Sequence, residues 1–195
     1  LANIYSTEFS IAIKDHETKQ TYTQKWSKNM TVCDPPKIKK HSGATSSVAI
    51  TFTPEWKRFG MSKMDDTIYS IFQKRVWDAN ICTTQNCKVK FNGEVLTKQN
   101  FEAYAKMHEG VEEVTCVNGD RWSVCIGPST DGMEQVSFVN GLCTNKGGTH
   151  VDHVANHIAN GIIDEMAKKI KLKPQQVKNT FNIFVKATLE NPTFS

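Results

Sequence analysis

The chain has 195 residues, 38% of them hydrophobic, enough for one ordinary globular domain or one domain joined to part of another. Lys and Arg outnumber Asp and Glu by 24 to 20, a net charge of +4 that is compatible with a polyanionic partner without requiring one. No apolar stretch approaches the roughly 18 residues that suggest a membrane span, and Leu1 to Tyr5 have neither the basic flank nor the apolar core of a secretory signal, so a soluble intracellular protein is expected.

From Asn3 to Trp26 the pattern is strand-like, with Ile4, Phe9, Ile11 and Ile13, then Tyr22, Gln24 and Trp26, separated by the polar turn Asp15 to Lys19; this spacing predicts a hairpin. A loop carrying Pro35, Pro36 and the basic run Lys37 to Lys40 comes next, then a third strand over Val48 to Phe52, closed by Pro54. Between Asp65 and Ala79, Ile68, Ile71, Phe72, Arg75 and Val76 recur at helical spacing, with Asp65 or Asp66 near the start.

The second half reads as a strand over Lys88 to Phe91, a turn at Asn92-Gly93 and a short helix from Phe101 to Met107. Strands follow at Val111 to Val117, Arg121 to Ile126 and Gln135 to Val139. A long helix is predicted from about His150 to Lys169, with Val151, Val154, Ile158, Ile162 and Met166 on one stripe. Thr149 followed by Asp152 has the form of a capping pair, and Gly161, costly inside a helix, calls for a packing reason. After Lys173-Pro174 come a short helix and a final strand from Phe181 to Val185. Strands, a long helix and a further strand make an α+β domain.

Six cysteines, at positions 33, 82, 87, 116, 125 and 143, lack the paired close spacings of a zinc site or a disulfide framework and read as reduced thiols. The first residue is not Met, and the chain reads as a piece cut at both ends.

Two long motifs carry more information than any periodicity. Ser137-Phe138-Val139-Asn140 is followed by Thr144-Asn145-Lys146-Gly147-Gly148-Thr149-His150-Val151-Asp152, which resembles the transducer domain of eukaryotic-type type II DNA topoisomerases. Gln176 to Asn179, Ile183 to Val185 and Leu189-Glu190-Asn191-Pro192-Thr193-Phe194 are similar to the run that leads that family into its switch-lysine loop. Leu1 to Thr7 are similar to the segment just after the family's Gly-rich ATP lid, and Ile50-Thr51-Phe52 with Pro54 to its last ATPase-domain strand.

The resemblance implies the end of a GHKL (Bergerat) ATPase sheet in residues 1–58. In residues 59–195 it implies a transducer with a β-α-β arrangement like that of a small-subunit ribosomal protein, ending before the switch-lysine loop. It further implies a nuclear, homodimeric parent that uses ATP and Mg²⁺ to pass one DNA duplex through another. The catalytic and principal nucleotide ligands of that parent lie outside this chain, so no catalytic or metal residue is expected within it. A stand-alone DNA-binding or scaffold module derived from such an enzyme is the alternative.

Within the chain the resemblance places DNA contacts at Lys168 and Lys169, extended by Lys171 and Lys173; the family has three lysines in a row there, and Ala167 takes the first place here. Each lysine near a phosphate displaces a counterion, although cations at a helix end also simply complement its dipole. Lys146 lines the same DNA channel in this reading. Its loop either cradles an anion at the following helix N-terminus or merely fixes the helix entry, and the glycines follow the Lys rather than precede it as in a P-loop. His150, His153 and His157 share a helix face and read as surface or packing histidines rather than metal ligands. Lys37, Lys39 and Lys40 read as a solvated loop, with DNA contact the minority reading. Val48 stands where the family has a Thr near the nucleotide; Ser47 or Thr45 supplies the missing donor, or the position is a plain strand residue.

Overall fold

A computed structural model describes residues 1–97, 99–167 and 170–193. The chain divides into two compact units, Leu1–Tyr69 and Ser70–Ser195, each with its own sheet. No described helix is long and apolar enough to cross a membrane.

In the first unit, β1 (Ser6–Asp15) and β2 (Gln20–Ser27) form the expected hairpin. Its turn is held by the Asp15 carboxylate, which accepts from the Glu17 N–H at 3.0 Å and the Thr18 hydroxyl at 2.7 Å, the local bonding that makes Asp a turn former. Three more strands complete the sheet: β3 (Val32–Cys33), β4 (Lys37–Lys40) and β5 (Ser47–Pro54). The order is β3-β2-β1-β5, with β4 also on β2. The basic run expected as a loop is therefore a strand, paired antiparallel with Gln20 to Thr23. Pro35 and Pro36 do not prevent this, because they precede the ladder and forfeit none of its N–H donors.

Register sorts this sheet into two unlike faces, since directly opposed residues share a face and successive residues alternate. Phe9, Ile11 and Ile13 of β1 oppose Trp26, Gln24 and Tyr22 of β2 and Phe52, Ile50 and Val48 of β5, an apolar face on which Phe9 and Trp26 meet edge to face at 5.8 Å. Ser10, Ala12 and Lys14 oppose Lys25, Thr23 and Thr21 on one side and Thr51, Ala49 and Ser47 on the other, a face of small hydroxyls and lysines.

The second unit begins within α1 (Asp66–Cys82). Asp65 opens this helix, its carboxylate accepting from the Ile68 N–H at 2.9 Å. The helix forms as its spacing predicts, but Ile71 and Phe72 of the stripe stay exposed, and the buried residues are Asp78, Asn80 and Ile81 near the helix end. A small hairpin, β6 (Lys90–Phe91) and β7 (Glu94–Val95), turns at Asn92-Gly93. The short helix α2 (Phe101–Ala105) is capped by Asn100, which accepts from the Ala103 N–H.

The main sheet comprises β8 (Thr115–Asn118), β9 (Trp122–Pro128), β10 (Gln135–Val139), β11 (Leu142–Cys143) and β12 (Phe181–Ala187), in the order β11-β10-β12-β9-β8. β10 and β12 are parallel, and parallel neighbours need a crossover. Here it is α3 (Thr149–Met166) followed by α4 (Pro174–Lys178), the expected β-α-β arrangement. The central strand β12 is buried on both faces. Phe184 joins Phe101, Tyr104 and Phe138 on the α2 side, while Ile183 and Val185 join Val151, Ala155 and Ala159 of α3 on the other.

Four expectations are corrected. The capping pair at Thr149 does not form: the helix starts one residue earlier, with Gly148 as N-cap at φ 146°, a backbone conformation that a side chain rarely adopts. The buried stripe of α3 runs through Val151, Ala155 and Ala159, with Val154 and Ile158 flanking it and Ile162 exposed, because small residues let the helix approach the sheet closely. Gly161 has no packing reason, since a Cβ built there meets nothing within 4 Å. The cysteines are not all thiols: β8 and β9 pair with Cys116 directly opposite Cys125, their Cα atoms 4.1 Å apart, and the two form a disulfide.

Candidate functional site

The loop before α3 is built on β10 rather than left free. Gln135 reaches across it, its Nε2 donating to the Thr144 and Asn145 carbonyls at 3.2 and 2.9 Å. Ser137, 1% exposed, donates to Gln135 Oε1 at 2.7 Å and shares a 2.5 Å bond with the Thr144 hydroxyl. Thr144 in turn meets His150 Nε2 at 3.1 Å. Gly147 closes the loop by donating its N–H to the Thr144 carbonyl. A Cβ on Gly148 would stand 3.2 Å from the His150 ring, so the glycine makes room for the imidazole that ends the network. Burial lowers the His150 pKa below its ordinary value, partly offset by the Asp152 charge.

Of the lysines singled out by sequence, Lys146 sits exposed at the tip of this loop and Lys171 sits exposed beyond the far end of α3. Neither has an ion-pair partner among the described residues. The helix between them has 18 residues and is roughly 27 Å long at 1.5 Å per residue, so the two lysines lie beyond opposite ends of it. Lys168 and Lys169 lie outside the described residues. Lys173 precedes α4, where its N–H donates to Gln176 Oε1 at 2.9 Å. His153 and His157 line a shallow depression of about 380 Å³ with Trp122 and Val154. Histidines 153 and 157 thus share a surface that His150, turned to Thr144, does not.

The segment leaving β12 is fastened at two points that sequence reading passes over. Asn140, at φ 50°, both donates to the Leu189 carbonyl and accepts from the Leu189 N–H, at 3.0 and 2.9 Å. Arg121 donates to the Thr188 carbonyl at 3.0 Å and pairs with Glu190 at 3.0 Å. Asn140 belongs to the quoted Ser-Phe-Val-Asn motif, so a signal is present, but its partner lies 49 positions away. Behind the sheet, the Asp78 carboxylate takes two bonds from Lys74, at 2.9 and 3.0 Å, and one from the Tyr104 hydroxyl at 2.7 Å. Burial, and then the Asp78 bond and charge, raise the Tyr104 pKa. Burial, reinforced by Lys74, lowers that of His108.

In the first unit Val48 opposes Ile13 on the apolar face, and Ser47 opposes Lys14 on the other.

The family model described as DNA gyrase B matches residues 90–195. The DNA topoisomerase 2 of Candida glabrata is 36% identical over 216 residues, spanning 100% of this chain and 15% of that protein. The crystal structure of the ATPase region of Saccharomyces cerevisiae topoisomerase II superposes with a TM-score of 0.91 at 34% identity, covering 99% of this chain and 51% of that one. The ATPase and transducer domains of DNA topoisomerase II from Balamuthia mandrillaris superpose with a TM-score of 0.91 at 30% identity, again over 99% of this chain and 51% of that one. With an α+β architecture and a whole-chain likeness of this kind, the chain belongs to the type II DNA topoisomerase family.

Proposed function

We propose that this chain is the coupling segment of an ATP-dependent type II DNA topoisomerase, an isomerase that passes one duplex through a transient break in another. Residues 1–58 supply the end of the nucleotide-binding GHKL domain and residues 59–195 the transducer. The parent acts in the nucleus as a homodimer, with ATP and Mg²⁺ held chiefly by residues outside this chain. ATP supplies the free energy of gate closure. This chain's own residues transmit that closure as a rigid-body motion and contact DNA through Lys146, Lys171, Lys168 and Lys169.

The observation that carries the reading is the bonded path along the β10-α3-β12 unit. The loop bearing Lys146 is tied to β10 through Ser137 and Thr144, and the chain leaving β12 is tied to the end of β10 through Asn140. A displacement of that exit is therefore felt at the DNA-facing loop. Two measurements test it. The chain by itself hydrolyses no ATP, and measurable turnover sinks the assignment of the chemistry to other segments. Lys146→Gln with Lys171→Gln flattens the dependence of duplex affinity on salt by about 0.9 logarithmic units for each phosphate no longer neutralised; an unchanged slope removes these lysines from the DNA path.

A further inference from the structure

We infer that the hydroxyl-and-lysine face of the first unit's sheet is a second docking surface for the sugar-phosphate backbone of duplex DNA, with Lys14, Lys37 and Lys39 as its cations. The inference rests on the reading that the protein handles duplex DNA, and it extends that reading to a surface the motifs do not reach. The pairing of β4 with β2 makes the surface. Lys14 opposes Thr21, and Thr21 opposes Lys39 on its other side. In the next same-face row, Ala12 opposes Thr23, and Thr23 opposes Lys37. The three lysines therefore project from one face of three adjacent strands, where a loop would have scattered them.

Charge and shape both select a broad polyanion. Lys14, Lys37 and Lys39 are exposed and have no ion-pair partner among the described residues. The acid that shares their face on β1, Glu8, is already neutralised by Lys25 at 2.8 Å. Between the cations the floor is made of small side chains, Thr21, Thr23 and Ala12, and Ala49 extends it beyond Lys14 on β5, so these positions leave room for a wide rod. Hydroxyls of this kind donate to phosphate oxygens without reading sequence. Two residues along β4 separate Lys37 from Lys39 by about 7 Å, and two strand spacings separate Lys14 from Lys39 by about 10 Å. At about 3.4 Å of helix axis per phosphate on each strand, that area spans about two to three phosphates. The opposite face is lined chiefly by Phe9, Ile11, Ile13, Ile50 and Phe52, with Lys40 at its β4 edge, so it offers mainly apolar contact.

Fluorescence anisotropy of a short mixed-sequence duplex against salt, using the polypeptide that carries this chain, decides the matter. Lys14→Gln with Lys37→Gln and Lys39→Gln is expected to lower the salt slope by about 2.7, at about 0.9 per phosphate neutralised. Between about 50 and 200 mM salt the unsubstituted protein then loses roughly 40-fold more affinity than the variant. Arg at the same three positions is expected to keep the slope, which separates an effect of charge from an effect on folding. A triple Gln variant with unchanged slope and affinity overturns the proposal. So does one that loses binding to polyglutamate while keeping the duplex, since that assigns the face to an acidic protein. The Lys146→Gln, Lys171→Gln variant reports separately. If it alone weakens duplex binding, the face fails and the α3 contacts stand; if the triple variant alone weakens it, the face stands and the α3 contacts fail.

Discussion

Single residues show where local chemistry and packing disagree. Gly161 lies inside α3 with open space where its Cβ would be, so Gly161→Ala removes backbone freedom from the unfolded chain and adds no clash. Stability is expected to rise by about 1 kcal/mol, which for a chain of this size lifts Tm by about 2–4 °C in a thermal melt. Asp78 is the opposite case, a carboxylate 6% exposed on which Lys74 and Tyr104 converge. Asp78→Ala leaves the buried Tyr104 hydroxyl without its acceptor and is expected to cost about 3 kcal/mol. Tyr104→Phe, which leaves Lys74 on Asp78, is expected to cost about 1 kcal/mol; equal losses for the two in denaturant titrations would contradict this division. His150 gives a pH dependence of definite sign. Its folded pKa is lowered by burial, so the unfolded chain binds a proton that the folded chain refuses. Its contribution is complete above the ordinary histidine value of about 6.5 and is lost as pH falls through the folded value. His150→Gln is expected to flatten the stability profile on the acid side of neutrality, and a profile of unchanged steepness would remove His150 from that role.

At the scale of elements, the features legible in the sequence are the local ones. The hairpin of β1 and β2, the strand β10 and the existence of α3 arise from alternation, a turn signal and helical spacing among near neighbours. The features that escape it depend on partners far away in sequence. Nothing in Lys37 to Lys40 announces a strand, because the β2 residues that pair with it lie 14 to 20 positions earlier. Spacing centres the α3 stripe on the large residues Val154, Ile158 and Ile162, whereas close approach to the sheet selects Ala155 and Ala159. Likewise, the pairing of Cys116 with Cys125 needs the β8–β9 register, which spacing alone does not supply. The Lys146 loop is legible as a tight entry to α3, but its tether through Gln135 and Ser137 is not. Asn140 is the test at this scale. Asn140→Gly keeps the left-handed backbone while losing both bonds to Leu189, so it is expected to cost about 1–2 kcal/mol and to speed hydrogen exchange at the Leu189 amide. Exchange at the unsubstituted rate would show that the exit from β12 is held by other groups.

For the whole molecule, the two units carry main sheets of unlike character. The first has an apolar face and a lysine-bearing face; the second has a central strand buried on both faces and carries a crossover helix with exposed cations beyond its two ends. The most direct measurement is the linking number of a supercoiled plasmid treated with the polypeptide that carries this chain, with and without ATP. Passage of one duplex through another changes the linking number in steps of two, and the account predicts such steps only when ATP is present. Steps of one, or relaxation that proceeds equally without ATP, would contradict it.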